Sequence, residues 1–215
     1  MIALRLGVPI ACWRKGHARE FLESERVPPP ATCYGALLSL VGEQDRERHR
    51  GCRVTAGLLN RPGRSVVLRT LWRIKDRSAP QGSGENAKPD FQQLVVNADL
   101  VVWCDSADEP DPGRGLEARV TRAIREPEAV ERFGGWSLGE STHLINDLKL
   151  LPDGAPPERC EAFLLDPGGT VTLPVWVDHV GTAGTVHATG RFEPIHRPPG
   201  RHLLPQVPLA ANGRG

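Results

Sequence analysis

The stretch FGGWSLGES, Phe133 to Ser141, places three glycines (Gly134, Gly135, Gly139) within six positions. Glycine admits φ > 0 and leaves no Cβ in the way of an approaching group. Such a loop lets main-chain N–H groups form a concave nest for a phosphate or carboxylate. The spacing imitates a nucleotide-binding P-loop: Gly134, four residues, Gly139, one residue, Ser141. The residue before Ser141 should then be lysine, and here it is Glu140. A carboxylate there repels a β/γ-phosphate, and STHLINDLKLL beyond it reads as a strand rather than a helix, so nucleotide hydrolysis is excluded. What remains is a glycine loop fit to hold a sugar–phosphate backbone, with Trp136 at its centre. A tight connection that merely needs glycine accounts for the same residues.

Outward from the loop, Asp111 to Arg132 carries helix signals, with acids early, Leu116, Val120, Ala123 and Ile124 on one period, and Pro127 as a break. His143 to Leu151 reads as the strand after the loop. At the other end, Ile2 to Trp13 is an opening strand that runs into Trp13-Arg14-Lys15-Gly16-His17. Three prolines, Pro28 to Pro30, precede a helix over 31–41, with Thr32 as a possible cap and Gly42 as its stop. Cys52 to Asn60 and Ser65 to Lys75 flank Arg61-Pro62-Gly63-Arg64, which predicts a hairpin with a Pro-Gly turn. Arg69, Arg73, Lys75 and Arg77 fall on one face of its second arm. Residues 78–90 form a tip rich in Gly, Pro and Ser, and Phe91 to Cys104 returns as a strand. This predicts a long protruding hairpin with a disordered tip.

The 215 residues suffice for one large domain with a sizeable core. Hydrophobic content of 39% and charged content of 25% are ordinary for a soluble chain. No apolar run approaches a membrane span, and the start is too short and strand-like for a signal peptide. Five scattered cysteines without a CxxC pair predict reduced core residues in a cytoplasmic protein, with neither disulfides nor a metal site. The net charge of +1 conceals an asymmetry: 44–77 carries ten Lys or Arg against three acids. One basic stretch in a near-neutral chain indicates a localised polyanion contact or else a solvated charged face.

The order β, α, extended hairpin, β, α, glycine loop, β is close to the split βαβ arrangement of RNA-recognition domains. The fold class is α+β: a ferredoxin-like, RNA-recognition-motif-like core over 1–151, with a thumb insertion at about 68–94. A small C-terminal β extension over 152–200 packs on the core, and 201–215 forms a flexible tail. Trp72 and Trp103 lie in apolar runs and are expected in the core, and Tyr34 is as much a core phenol as a stacking ring. Glu140 is expected to accept bonds from loop amides.

Three segments together resemble one family. VPPPATCYGALLSLVG (27–42), LRTLWRIKDR with KPDFQQL (68–94) and RFGGWSLGESTHLIND (132–147) are similar to the Cascade backbone subunit that caps the 5′ handle of the guide RNA, the fifth numbered family of CRISPR-associated proteins. The likeness covers roughly residues 1–192 and is nearest to the type I-B branch, which works beside a separate guide-processing nuclease. It implies a non-catalytic subunit that binds the handle, joins backbone and large subunits, and reaches target DNA through the complex, with no membrane contact and no cofactor. Handle contacts are implied for Trp13, Arg14, Lys15, Arg26 and Tyr34, and for Arg69, Arg73, Lys75, Arg77 and Lys88 of the thumb. Gly134, Gly135, Trp136, Ser137 and Gly139 complete the set. Trp13, Trp136 and Tyr34 are the expected base-stacking rings. The alternative is a metal-independent endoribonuclease that processes guide precursor, for which Lys15, His17 and Tyr34 are the residue types needed.

Overall fold

The structure, a computed structural model, describes residues 1–16, 18, 21–72, 75–152, 159–180 and 183–209. It is a mixed fold dominated by one antiparallel sheet, organised along a 19-residue strand, β5 (Ala87–Asp105). The C-terminal half of β5 lies between β1 (Ile2–Ala11) and β3 (Arg53–Leu58), antiparallel to both. Beyond β1 lies β6 (Asp147–Leu151), so the local order is β6-β1-β5-β3. Two crossovers each skip a neighbour. One joins β1 to β3 through α1 (Pro30–Leu40), and the other joins β5 to β6 through α2 (Leu116–Arg125). Past β3 the sheet continues as β7 (Cys160–Leu165), β9 (Val186–Ile195) and β8 (Val171–Trp176).

The N-terminal half of β5 leaves the main sheet as an arm. It pairs over ten residues with β4 (Gly63–Trp72), from Gly63 opposite Val96 to Trp72 opposite Ala87, a reach of about 30 Å. The short β2 (Phe21–Leu22) covers its other edge, in parallel. The expected hairpin between 52–60 and 65–75 does not form. Both β3 and β4 pair with the same edge of β5, so they are one strand interrupted at 59–62. The Asn60 side chain stitches the break, donating to the Asn97 carbonyl at 2.7 Å and accepting from Asp99 N. Asn97, with φ of 57°, marks where β5 turns into the arm.

The arm tip is wound around Asn86 and not loose as expected. Its buried amide accepts from the Lys75 and Asp76 N–H groups and donates to the Asp76 and Ala79 carbonyls. Trp72, expected in the core, is 71% exposed, since strand alternation turns it to the outer face of the arm. A Cβ on Gly82 would stand 2.8 Å from its ring.

One face of the sheet is covered by the helices, with Leu4, Leu6, Val54, Leu100 and Val102 against Leu37, Leu116 and Val120. The other face buries Val101, Trp103, Cys160, Ala162 and Leu204. The prolines set α1 as expected, but its first residue is Pro30 and its cap Pro29, which places Thr32 inside the first turn. The predicted helix over 111–132 narrows to α2 between two short 3₁₀ turns, and the strand after the loop begins only at Asp147. All five cysteines are buried and unpaired. Residues 201–209, expected to fray with the rest of a tail, are fastened: Val54 N donates to Pro205 O and Val207 N to Cys52 O. Arg201 pairs with Asp105 and Asp108, and Leu204 is wholly buried. Residues 210–215 lie outside the described residues. No helix among the described residues is long and apolar enough to cross a membrane.

A buried polar cluster joins α2 to the segment after α1. Glu109, 5% exposed, accepts from Leu116 N at 3.0 Å and lies 2.6 Å from His49 Nδ1. Arg119 Nη1 lies 2.9 Å from His49 Nε2 and also meets Glu43. Arginine can only donate, so Nε2 accepts and Nδ1 donates to Glu109. Glu109→Ala would strand the ring and the first N–H of α2. It should lower stability by about 2–4 kcal/mol, read as a fall in the urea midpoint at an unchanged slope.

Candidate nucleic-acid interface

The glycine loop is held from inside. Trp136, 8% exposed, donates Nε1–H to the Ala36 carbonyl of α1 at 2.8 Å, and Trp13, 1% exposed, donates to Leu138 O at 3.2 Å. Both rings were expected to stack on bases. Their faces are instead occupied by core side chains, and each indole ties the loop to the body. Leu138 N donates to His143 O, His143 N to Glu140 O, and Ile145 N to Trp136 O, so the loop returns on itself. Gly139 has φ of 121°, and a Cβ there would stand 3.0 Å from Cys12 O, so no other residue fits. Gly134 has φ of 70° and open space about it, whereas at Gly135 a Cβ would meet only the Leu144 side chain.

The loop is fastened to the arm as well. Glu140 accepts from Arg69 Nη1 at 2.7 Å and from Gln92 Nε2 at 2.8 Å. The expected bonds from loop amides give way to this pair because β4 and β5 present two donors directly across from the carboxylate. Behind it, His143 Nδ1 accepts from both Cys12 N and Glu140 N at 3.2 Å. The loop, the end of β1 and the root of the arm thus form one hydrogen-bonded unit.

The remaining expected residues are dispersed around this unit. Arg14 is exposed and donates to Ala18 O, Lys15 pairs with Glu23, and His17 lies outside the described residues. Arg26 pairs with Glu161 and lies 5.0 Å from the Phe192 ring centroid. Tyr34 is buried and donates to Arg46 O at 2.7 Å, and burial raises its phenol far above the ordinary value. That placement opposes both stacking and a role as a base. Ser137 is half-buried and bridges to Leu144. On the arm, Lys75 pairs with Glu85 and Lys88 with Asp90, Arg77 is exposed, and Arg73 lies outside the described residues.

The rings that do reach solvent are others. Phe133 is 85% exposed at the start of the loop. Val66, Leu68, Trp72 and Phe91 form an exposed apolar stripe on the outer face of the arm, with Phe21 of β2 beside Phe91. The alternation in VVLRTLW carries the signal for the stripe. For Phe133 the signal is its place between a cation, Arg132, and two glycines. A half-open cavity of about 380 Å³ lies between α1, the loop at Ser137 and Gly139, and Trp176 of β8. Arg46 and Arg50 stack on that tryptophan, 3.7 and 4.1 Å from its ring centroid.

Burial holds the His143 imidazole below its ordinary pKa, opposed by Glu140 and assisted by Arg69. The unfolded chain therefore binds this proton more readily than the folded one. The stability contributed by neutral His143 is complete above about pH 6.5 and is lost as pH falls. Melting temperature should drop between about pH 7.5 and pH 5.5, and His143→Asn, whose amide oxygen keeps the acceptor, should flatten that dependence.

No family model matches the chain. A curated CRISPR-associated protein Cas5 of Myxococcus xanthus (strain DK1622) is 66% identical over 210 residues, covering 98% of this chain and 98% of that protein. A solved chain described as a CRISPR RNA-guided surveillance complex matches 92% of this chain and 90% of its own length, with a TM-score of 0.62 at 14% identity. A second, described as the crystal structure of a Cas protein, matches 97% and 98% with a TM-score of 0.51, also at 14% identity. The two solved structures are likenesses of fold, while the curated relative is a likeness of sequence along nearly the whole length. On that identity, the chain belongs to the CRISPR-associated Cas5 family.

Proposed function

We propose that this Cas5 protein is a non-catalytic subunit of a type I CRISPR guide-RNA surveillance complex. In this reading it binds the 5′ handle of the guide RNA and joins the backbone and large subunits for recognition of target DNA. The observation that carries it is the tie between the glycine loop and the arm through Glu140, Arg69 and Gln92. A loop with open space at Gly134 and an arm of about 30 Å, locked at one root, make a clamp for an extended strand. The interleaved order β6-β1-β5-β3 supports a ferredoxin-like core, with the arm as its thumb.

The two faces of the arm divide the work. The face carrying Arg69 and Lys88 turns toward the loop, where phosphates are bound without being read. The outer face, with Leu68, Trp72 and Phe91 exposed, suits a neighbouring protein subunit, since so contiguous an apolar stripe seldom faces water. Base pairing between guide and target supplies the sequence specificity, so the subunit holds shape and position.

A non-catalytic role fits the inward Tyr34 hydroxyl and the engagement of Lys15 by Glu23. Incubation of the purified chain with guide precursor should leave the RNA intact, and metal-independent scission would favour the endoribonuclease reading. Lys75→Ala with Arg77→Ala should leave the melting temperature nearly unchanged, because exposed charges contribute little to stability. Guide-RNA binding by the assembled complex should weaken, with the salt slope reduced by up to about two phosphate contacts. An unaltered slope would remove the arm from the RNA path.

A further inference from the structure

Gly35 stands in the middle of α1, where nothing among the described residues requires it. Its residue is exposed, and a Cβ there would meet no atom within 4 Å. Glycine is the poorest helix former after proline, so alanine would serve the helix better. The space that the missing Cβ leaves open belongs to a cavity of about 270 Å³, walled by Leu38, Ser39, Gln44, Arg132 and Phe133.

Phe133 is the unusual wall. It is 85% exposed, so nearly all of its apolar surface remains in water. The adjoining Gly134, at φ of 70°, has open space where a side chain would stand. The guanidinium of Arg132 is exposed next to it. Glu43, the one acid in the wall, is already engaged by Arg48 and Arg119. An exposed flat ring beside an exposed cation, with the Ser39 hydroxyl and the Gln44 amide at the edge, is the chemistry that holds an unstacked base. The ring stacks, the cation meets the phosphate, and the amide and hydroxyl read the base edge.

We propose that Phe133, Arg132 and the floor of α1 at Gly35 form a binding site for one splayed nucleobase of single-stranded RNA. The inference rests on the guide-RNA reading above and assigns the base contact to Phe133, outside the core, where Trp13 and Trp136 cannot reach. It also gives Gly35 a cause: the ribose and base edge come closer to the helix than a methyl group allows.

The test uses the full chain, assembled with guide RNA carrying 2-aminopurine at each handle position in turn. Phe133→Leu should weaken RNA binding roughly 5- to 150-fold and relieve the fluorescence quenching at one position only, while Phe133→Tyr restores both. Gly35→Ala should raise the melting temperature of the free chain by roughly 2–4 °C and still weaken RNA binding. Wild-type affinity in both Phe133→Leu and Gly35→Ala, with quenching unchanged throughout, would overturn the site and leave the broader reading standing. A lowered melting temperature for Gly35→Ala would assign the glycine to the fold and overturn its role here. Failure of the wild-type chain to take up guide RNA at all would overturn the guide-RNA reading itself.

Discussion

The backbone of β5 sets the terms for the rest of the chain. Nineteen consecutive extended residues present N–H and C=O groups along two edges, and each buried one must find a partner. On one edge β3 and then β4 supply them; on the other, β1 and then β2. The apolar run over 100–104 is buried on both faces, while the residues before it alternate and keep one face nearer to water. One strand therefore belongs to a core at one end and to an arm at the other. Asn97, tied down by Asn60, is the place where the two regimes meet.

The loop inherits its position from this arrangement. Arg69 and Gln92 lie on β4 and β5 where the arm leaves the body, and their shared hold on Glu140 fixes the loop to that root. Two tryptophans, a histidine and a glycine at φ of 121° then complete the fastening from below. Most side chains near the loop serve its shape, and what it offers outward is backbone, Phe133 and Arg132. Rigid fastening below and open space above are what a site needs if it is to hold a ligand in one geometry.

Much of this was legible in residue order. The apolar runs located β1, α1, β5 and α2, and the glycine spacing located the loop, because these signals are local. The pairing of β3 and β4 was not legible: a Pro-Gly between two β-prone runs is a sound hairpin signal, and only the length of β5 makes the two runs collinear. The tryptophans misled for a related reason. A large ring between glycines reads as an exposed contact, yet an indole with one N–H to place can satisfy it on a helix carbonyl, as Trp136 does on Ala36. Trp72 failed in the opposite sense, since its apolar neighbours lie on an arm with no layer above them. The segment 201–209 reads as loose from its place at the end of the sequence alone. It is held by backbone bonds, by the Arg201 pairs with Asp105 and Asp108, and by the buried side chains of Leu204 and Val207, none of which forms a periodic pattern.

That C-terminal fastening bears on how the chain acquires its fold. The start of β3 pairs with residues 205–207, some 150 positions later, where β7 does not reach. Until that segment has docked, the Cys52 carbonyl and the Val54 N–H lack the partners they find there, and the face bearing Trp103 lacks the Leu204 that helps to cover it. A chain in which this segment is undocked would present an open sheet edge and an uncovered apolar layer, the features that invite association between incompletely folded chains. Closure of this edge thus joins positions about 150 residues apart, a pairing whose loop entropy must be overcome before the contact stabilises anything.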